Sequence, residues 1–189
     1  MVVLPGTEMK EPVILNIEKD LSIPWFEQIK KTIRLHDHAE PQIYYSIKPQ
    51  DYVTVLAQTG EKKIIVLKQY RPAIEDYTFE FPSGHLEDGE TPLQGVLREL
   101  KEETGGDAGE VTLLGELIPD TGRLENSLWA FYADNIMIKN IPHPDENEGI
   151  EIHLVSPEEL LKMINRGAFR HALDLGVLTL AIAGKYFKL

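Results

Sequence analysis

The 189-residue chain contains no cysteine, which removes disulfides, thiolate metal sites and cysteine nucleophiles from consideration. It has no apolar run near the roughly 20 residues that a membrane-crossing helix needs, so no membrane partner is expected. Its opening, MVVLPGTEMKEP, lacks the basic segment and long apolar stretch of a secretory leader, and a cytoplasmic location is the expectation. Positive charge is scarce as well. Lys and Arg number 19 against 31 Asp and Glu, a formal net charge of −12, and the basic residues form no stripe. Nucleic acid, whose binding rests on cation–phosphate contacts, is therefore not an expected partner. An acidic protein can still take an anionic ligand if divalent metal ions reverse the local charge.

What is present suits one domain with an added element, and 42% hydrophobic residues can fill a sizeable core. The stretch IPWFEQIKKTIRL places Trp25, Phe26, Ile29 and Ile33 at helix-like spacing, which predicts a short amphipathic helix over 23–35. Strands are predicted at 42–48, 51–59, 64–70 and 77–81, with TGEKK as a hairpin turn between the second and third. A helix over 92–104 follows, then strands at 111–118, 127–133 and 150–155. Helices at 157–167 and 172–187 close the chain. Repeats and low-complexity tracts are absent. The order implies an α+β fold with helices packed on a mixed sheet.

The 92–104 helix carries the chemistry. Thr91 suits its N-cap, Pro92 its first position, and Gln94 completes a capping box, while Gly105 supplies the stop. At about 100° per residue, Leu93, Val96, Leu97, Leu100 and Thr104 share one face, the predicted core side. Arg98, Glu99, Glu102 and Glu103 form an acidic stripe on the other, with Gly95 one turn earlier leaving room for a ligand or backbone. Each like-charge pair on such a stripe costs roughly 0.2–0.5 kcal/mol in an isolated helix. The carboxylates also sit near the C-terminal, negative end of the helix dipole. One arginine cannot neutralise three glutamates, whereas hard cations such as magnesium take carboxylate oxygens. A solvated acidic face is the plainer alternative.

The spacing decides between them. Gly84, five residues, Glu90, seven residues, then Arg98-Glu99-Leu100-Lys101-Glu102-Glu103-Thr104-Gly105 resembles the signature of the Nudix hydrolases. Only the last position departs, with Gly106 where a bulky residue is usual. The resemblance implies the Nudix fold, a mixed β-sheet sandwiched between helices with an N-terminal β extension. Residues 1–48 would form that extension and 49–189 the Nudix domain. It also implies magnesium, with manganese able to stand in, held by Glu99, Glu103, Glu102 and the backbone carbonyl of Ser83. Arg98 would hold the glutamates in position and Glu90 would support the loop.

Further matches point to the ADP-ribose pyrophosphatases within that family. HPDENEGIEIHLVSPEEL at 143–160 resembles their glutamate-bearing loop, so Glu148 and Glu146 would supply one metal ligand and one water-activating base, unassigned between them. Arg71, in KQYRPAIEDYTFEF, would contact substrate phosphate or ribose, with Glu80 structural or near the metals. Asp120 and the His85 backbone would line the substrate loop, although Thr121 stands where a proline is common. In such relatives N-terminal strands pair across a homodimer, which is the implied assembly. Trp25, Tyr44 and Tyr45 are candidates for nucleobase stacking, set against packing in the core or an interface. The implied substrate is a nucleotide-linked small molecule, ADP-ribose or an ADP-sugar before GDP-mannose. Hydrolysis of nucleoside triphosphates, dinucleoside polyphosphates or RNA caps is a second reading. A non-catalytic nucleotide-binding module is a third, disfavoured because all three helix glutamates are retained.

Overall fold

Strands dominate the structure, a computed structural model that describes residues 13–20, 26–139 and 149–188. The chain divides into two units, Met1–Gln50 with Asp120–Asn126 and Asp51–Pro119 with Ser127–Leu189.

In the first unit β1 (Val13–Asp20), β2 (Glu27–Arg34) and β3 (Gln42–Lys48) form an antiparallel sheet in that order. This corrects the helix expected over 23–35. Ile29 and Ile33 are four apart, a spacing that fits one face of a helix and equally one face of a strand. Pairing of β2 with β1 on one side and β3 on the other decides for the strand. The segment 120–126 joins this unit through the edge of β3. The Ile47 amide donates to the Arg123 carbonyl at 2.8 Å, and the Glu125 amide donates to the Ile47 carbonyl at 3.0 Å. The Glu125 carboxylate accepts from Lys31 and Ser46.

The second unit holds an eight-stranded mixed sheet with the central order β11-β5-β4-β10-β8. Its strands are β4 (Tyr52–Thr59), β5 (Ile64–Arg71), β6 (Asp76–Glu80), β7 (Ser83–His85), β8 (Gly106–Asp107), β9 (Glu110–Leu117), β10 (Leu128–Ile138) and β11 (Glu151–Val155). β4 and β10 run parallel and the remaining pairings are antiparallel. The expected hairpin turn is present, with the Thr59 amide donating to the Lys63 carbonyl at 2.8 Å.

Strand alternation sorts the core into two layers. Val53, Val55 and Ala57 of β4 pack with Ile65, Leu67, Phe131 and Ala133 against Val96 and Leu100 of α1 (Pro92–Thr104). Leu56, Val66, Leu128 and Ala130 face the other way. They pack with Leu160 and Met163 of α2 (Pro157–Asn165) and Val177, Leu178 and Ala181 of α3 (Ala172–Ala183). The sheet is therefore sandwiched between helices, as expected.

α1 begins and ends where its sequence says. Thr91 caps it with Gln94 in a capping box, Pro92 is its first residue, and Gly105 ends it at φ 65. Its buried face differs from the one expected. Gly95, Val96, Leu100 and Thr104 are buried, but Leu93 is 48% and Leu97 41% exposed. The helix is rolled toward Gly95 because that residue admits a close neighbour. A methyl group on Gly95 would stand 2.6 Å from Cδ2 of Leu86. The roll moves the acidic stripe inward from open solvent.

Candidate metal and phosphate site

The rolled helix lays Glu99 and Glu103 against β7. A Cβ built on Gly84 would stand 1.9 Å from Oε1 and 2.0 Å from Cδ of Glu99, so the absence of a side chain at 84 is what admits this carboxylate. One turn on, Oε2 of Glu103 accepts the Ser83 amide at 2.9 Å. Glu102, on the outer rim, is 61% exposed.

The pairing of β7 with β4 orients the Ser83 backbone. Leu86 donates to the Asp51 carbonyl and Val55 to the Pro82 carbonyl, and Thr54 lies opposite Ser83 in the register between them. Ser83 therefore occupies a non-hydrogen-bonded pair, with its N–H and C=O turned away from β4. The amide serves Glu103, and the carbonyl faces the same edge.

Arg98 ties the stripe together. Nε and Nη2 donate to the two Glu90 oxygens at 3.0 Å each, and Nη1 donates to Glu99 at 2.7 Å and Glu102 at 3.2 Å. Nη2 also donates to the His85 carbonyl at 2.9 Å. Glu90 accepts the Glu87 amide at 3.0 Å, which closes the loop before the helix. These bonds, led by Glu90, raise the Arg98 pKa above its usual value. Glu90 is correspondingly held below the ordinary carboxylate range, chiefly by Arg98. Glu99 goes the other way. Burial pushes it up, Arg98 opposes, and the neighbouring charges of Glu102 and Glu90 add to the rise.

A second charged group lies at the β5–β6 edge. Arg71 grips Glu80 through Nε at 3.0 Å and through Nη2. Glu80 is 3% exposed and also accepts from Thr78. Burial would raise the Glu80 pKa, but the bonds from Arg71 and Thr78 outweigh it and leave the group below its usual value. The Arg71 side chain remains 44% exposed. The Glu80 bond raises the Arg71 pKa above its usual value, and the more distant charges of Glu103 and Asp174 add to the rise.

The other anticipated residues are placed as follows. The His85 carbonyl is taken by Arg98, and its ring centroid lies 6.3 Å from that of Tyr52. Asp120 belongs to the first unit, where it accepts the Gly122 amide and the Arg123 Nε at 2.8 Å each. Tyr44 and Tyr45 lie on β3, 39% and 59% exposed. Trp25, Glu146 and Glu148 fall outside the described residues. Two residues were missed by the sequence reading, Asp174 in the first turn of α3 and His171 at its N-cap. A lone acid in the apolar run ALDLGVLTLAIA was the available signal.

The donor set suits a hard divalent cation: three carboxylates on one helix edge and a backbone carbonyl released from its sheet. Among the described residues no three acidic or histidine side chains converge tightly enough to hold an ion as placed. The Arg98 guanidinium bridges Glu99 and Glu102 and supplies positive charge there. A metal ion would have to draw these two carboxylates from Nη1.

The fold and this loop–helix arrangement define the class. The NUDIX domain model matches residues 48–173, and the chain belongs to that family. It is 36% identical over 119 residues to the ADP-ribose pyrophosphatase of Bacillus subtilis (strain 168), covering 62% of this chain and 64% of that protein. With the ADP-sugar pyrophosphatase of Mus musculus it shares 31% identity over 142 residues, 71% of this chain and 65% of the relative. It thus spans slightly under two thirds of the length of these relatives. A crystal structure of an ADP compounds hydrolase superposes with a TM-score of 0.81 at 20% identity, covering 94% of this chain and 96% of the other. At that identity the likeness bears on the fold.

Proposed function

We propose that this chain hydrolyses the diphosphate bridge of a nucleoside diphosphate joined to a small molecule, ADP-ribose or an ADP-sugar first, with magnesium as the working ion. The products are a nucleoside monophosphate and a sugar phosphate. The observation that carries the reading is the convergence of Glu99, Glu103 and the Ser83 backbone at the bare Cα of Gly84. A bound divalent ion supplies charge neutralisation for a diphosphate and acidifies water. Glu99, Glu103, Glu102 and the Ser83 carbonyl are the proposed ligands, with Arg98 holding Glu99 and Glu102 and the Ser83 amide holding Glu103 until the ion arrives. Arg71 keeps guanidinium N–H groups beyond those given to Glu80, and these can fork a phosphate or reach a ribose hydroxyl. Glu146 and Glu148 are proposed, from their sequence position, as metal ligand and water-activating base. The names of the two pyrophosphatase relatives support the substrate class.

A screen tests this reading. ADP-ribose, ADP-sugars, GDP-mannose, dinucleoside polyphosphates and nucleoside triphosphates are each incubated with magnesium, and phosphate is scored after phosphatase coupling. Magnesium-dependent turnover fastest on an ADP-linked sugar, with Glu103→Gln slower by orders of magnitude, is the expected result. Faster turnover of triphosphates or GDP-mannose removes the substrate assignment, and full activity in chelator removes the metal.

The assembly is proposed to be a homodimer through the first unit. Its small sheet carries exposed apolar side chains on both faces, Ile14 and Ile17 on one and Ile43 and Tyr45 on the other, each more than 40% exposed and able to be covered by a second copy. Light scattering that gives a monomer mass at micromolar concentration rejects this assembly.

A further inference from the structure

Four consecutive residues, Glu80 to Ser83, are each fastened to a different element. Glu80 is gripped by Arg71 of β5. The Phe81 amide donates to Oδ2 of Asp174 on α3 at 2.8 Å. The Pro82 carbonyl accepts from Val55 of β4, and the Ser83 amide donates to Glu103 of α1. The two outer residues of this run address the phosphate-binding arginine and the acidic helix. Three of the fasteners come from elements that form the site or the strand beneath it. Asp174 comes from the C-terminal helix on the opposite layer.

Asp174 is held in an unusual way. It is 0% exposed, and its Oδ1 is buried with no hydrogen-bond partner. Nδ1 of His171 stands 3.0 Å from Oδ2, an ion-pair distance without hydrogen-bond alignment. A buried carboxylate is expensive unless paired, and an unsatisfied buried polar atom calls for an explanation. Glu80 and Arg71 lie close enough for His171 to feel both charges. Phe81 itself is fully buried, its ring 4.9 Å from that of Phe169, so packing already seats its side chain. What the carboxylate adds is a fixed direction for the Phe81 amide, and hence for the carboxylate of Glu80 one residue earlier.

We propose that Asp174, with His171 behind it, is a positioning pair that sets the Glu80 carboxylate and through it aims the Arg71 guanidinium at the substrate phosphates. Neither residue touches the reacting atoms. This rests on the phosphate-binding assignment of Arg71 made above.

A double-mutant cycle separates positioning from mere support. Asp174→Ala, Asp174→Asn and His171→Ala are made in the wild-type and Arg71→Lys backgrounds; lysine keeps a charge beside Glu80 but lacks the fork. Two quantities are read well below each melting temperature: kcat and KM on ADP-ribose with magnesium, and the Kd of the α,β-methylene analogue by calorimetry. Asp174→Ala should weaken both KM and analogue binding about tenfold, and His171→Ala about threefold. Asparagine, which still offers an oxygen to the Phe81 amide, should recover wild-type values within about threefold. In the Arg71→Lys background all three effects should shrink to less than twofold, since the group being aimed is gone. Equal losses in both backgrounds, or asparagine as poor as alanine, overturn the proposal. If Asp174→Ala does not fold, His171→Ala decides: no loss of analogue affinity overturns it. Wild-type protein that binds the analogue but does not hydrolyse ADP-ribose refutes the proposed reaction instead, and leaves the cycle readable.

Discussion

Gly84→Ala separates the stability of this protein from its proposed chemistry. The new methyl group would stand 1.9 Å from Oε1 of Glu99, whereas ordinary contact begins at 3.4 Å, so the carboxylate must retreat by about 1.5 Å. Gly84 is not among the residues with positive φ, and alanine can adopt its backbone without strain. Restricting the unfolded chain gains about 0.4–1 kcal/mol, which offsets part of the roughly 1.5–3 kcal/mol at risk in the Arg98–Glu99 bond. Net stability should fall by about 0.5–2.6 kcal/mol, and at about 2–4 °C per kcal/mol the melting temperature drops by at most about 10 °C. Catalysis should not be spared. A displacement of about 1 Å in a reacting constellation can cost on the order of a hundredfold, so kcat should fall at least that far. Differential scanning fluorimetry and steady-state hydrolysis of ADP-ribose at 25 °C measure the two effects on one preparation. A variant that turns over within threefold of wild type refutes the placement of Glu99 among the metal ligands.

Other perturbations follow from the same contacts. Arg98→Ala removes the cation shared by Glu90, Glu99 and Glu102 and should lower the melting temperature, since the half-buried Glu99 is left without its partner. Manganese should then raise the melting temperature of the variant more than that of wild type, because the ion replaces the lost charge. Gly106→Val should destabilise by about 1–3 kcal/mol through overpacking, since a Cβ there meets Cγ2 of Ile136 and Oγ1 of Thr104 at 2.8 Å. Denaturant unfolding should show partial recovery when Ile136→Ala is added. The depressed Glu80 pKa means that its ion pair contributes fully above the ordinary value of 4.5 and is lost as pH falls through the lower folded value. Melting curves from pH 6 to 3 should show a steeper acid limb for wild type than for Glu80→Gln.

The capping signals of α1 could be read directly, because Thr91, Pro92, Gln94 and Gly105 act within one turn of themselves. The central strands β4 and β5 were legible for a local reason too, because burial on both faces makes them short, nearly continuous apolar runs. Longer-range facts were not. Ile29 and Ile33 satisfy two periodicities, and only the pairing of β2 with both neighbours makes them a strand. The roll of α1, which buries Gly95 and exposes Leu97, depends on Leu86 arriving from outside the helix. At Gly106, where a bulky residue is usual, Ile136 from β10 and Thr104 occupy the space. Asp174 and His171 gain meaning only when α3 is laid beside the Phe81 amide, ninety-three residues away in sequence.

Calorimetric titration of manganese into wild-type protein and into a Glu99→Gln, Glu103→Gln double variant bears most directly on the acidic stripe. Wild type should take up at least one ion with a Kd below a millimolar, and the double variant should show no such site while melting as a folded protein. Superimposable isotherms, or no binding by wild type, would contradict the assignment of these carboxylates to metal.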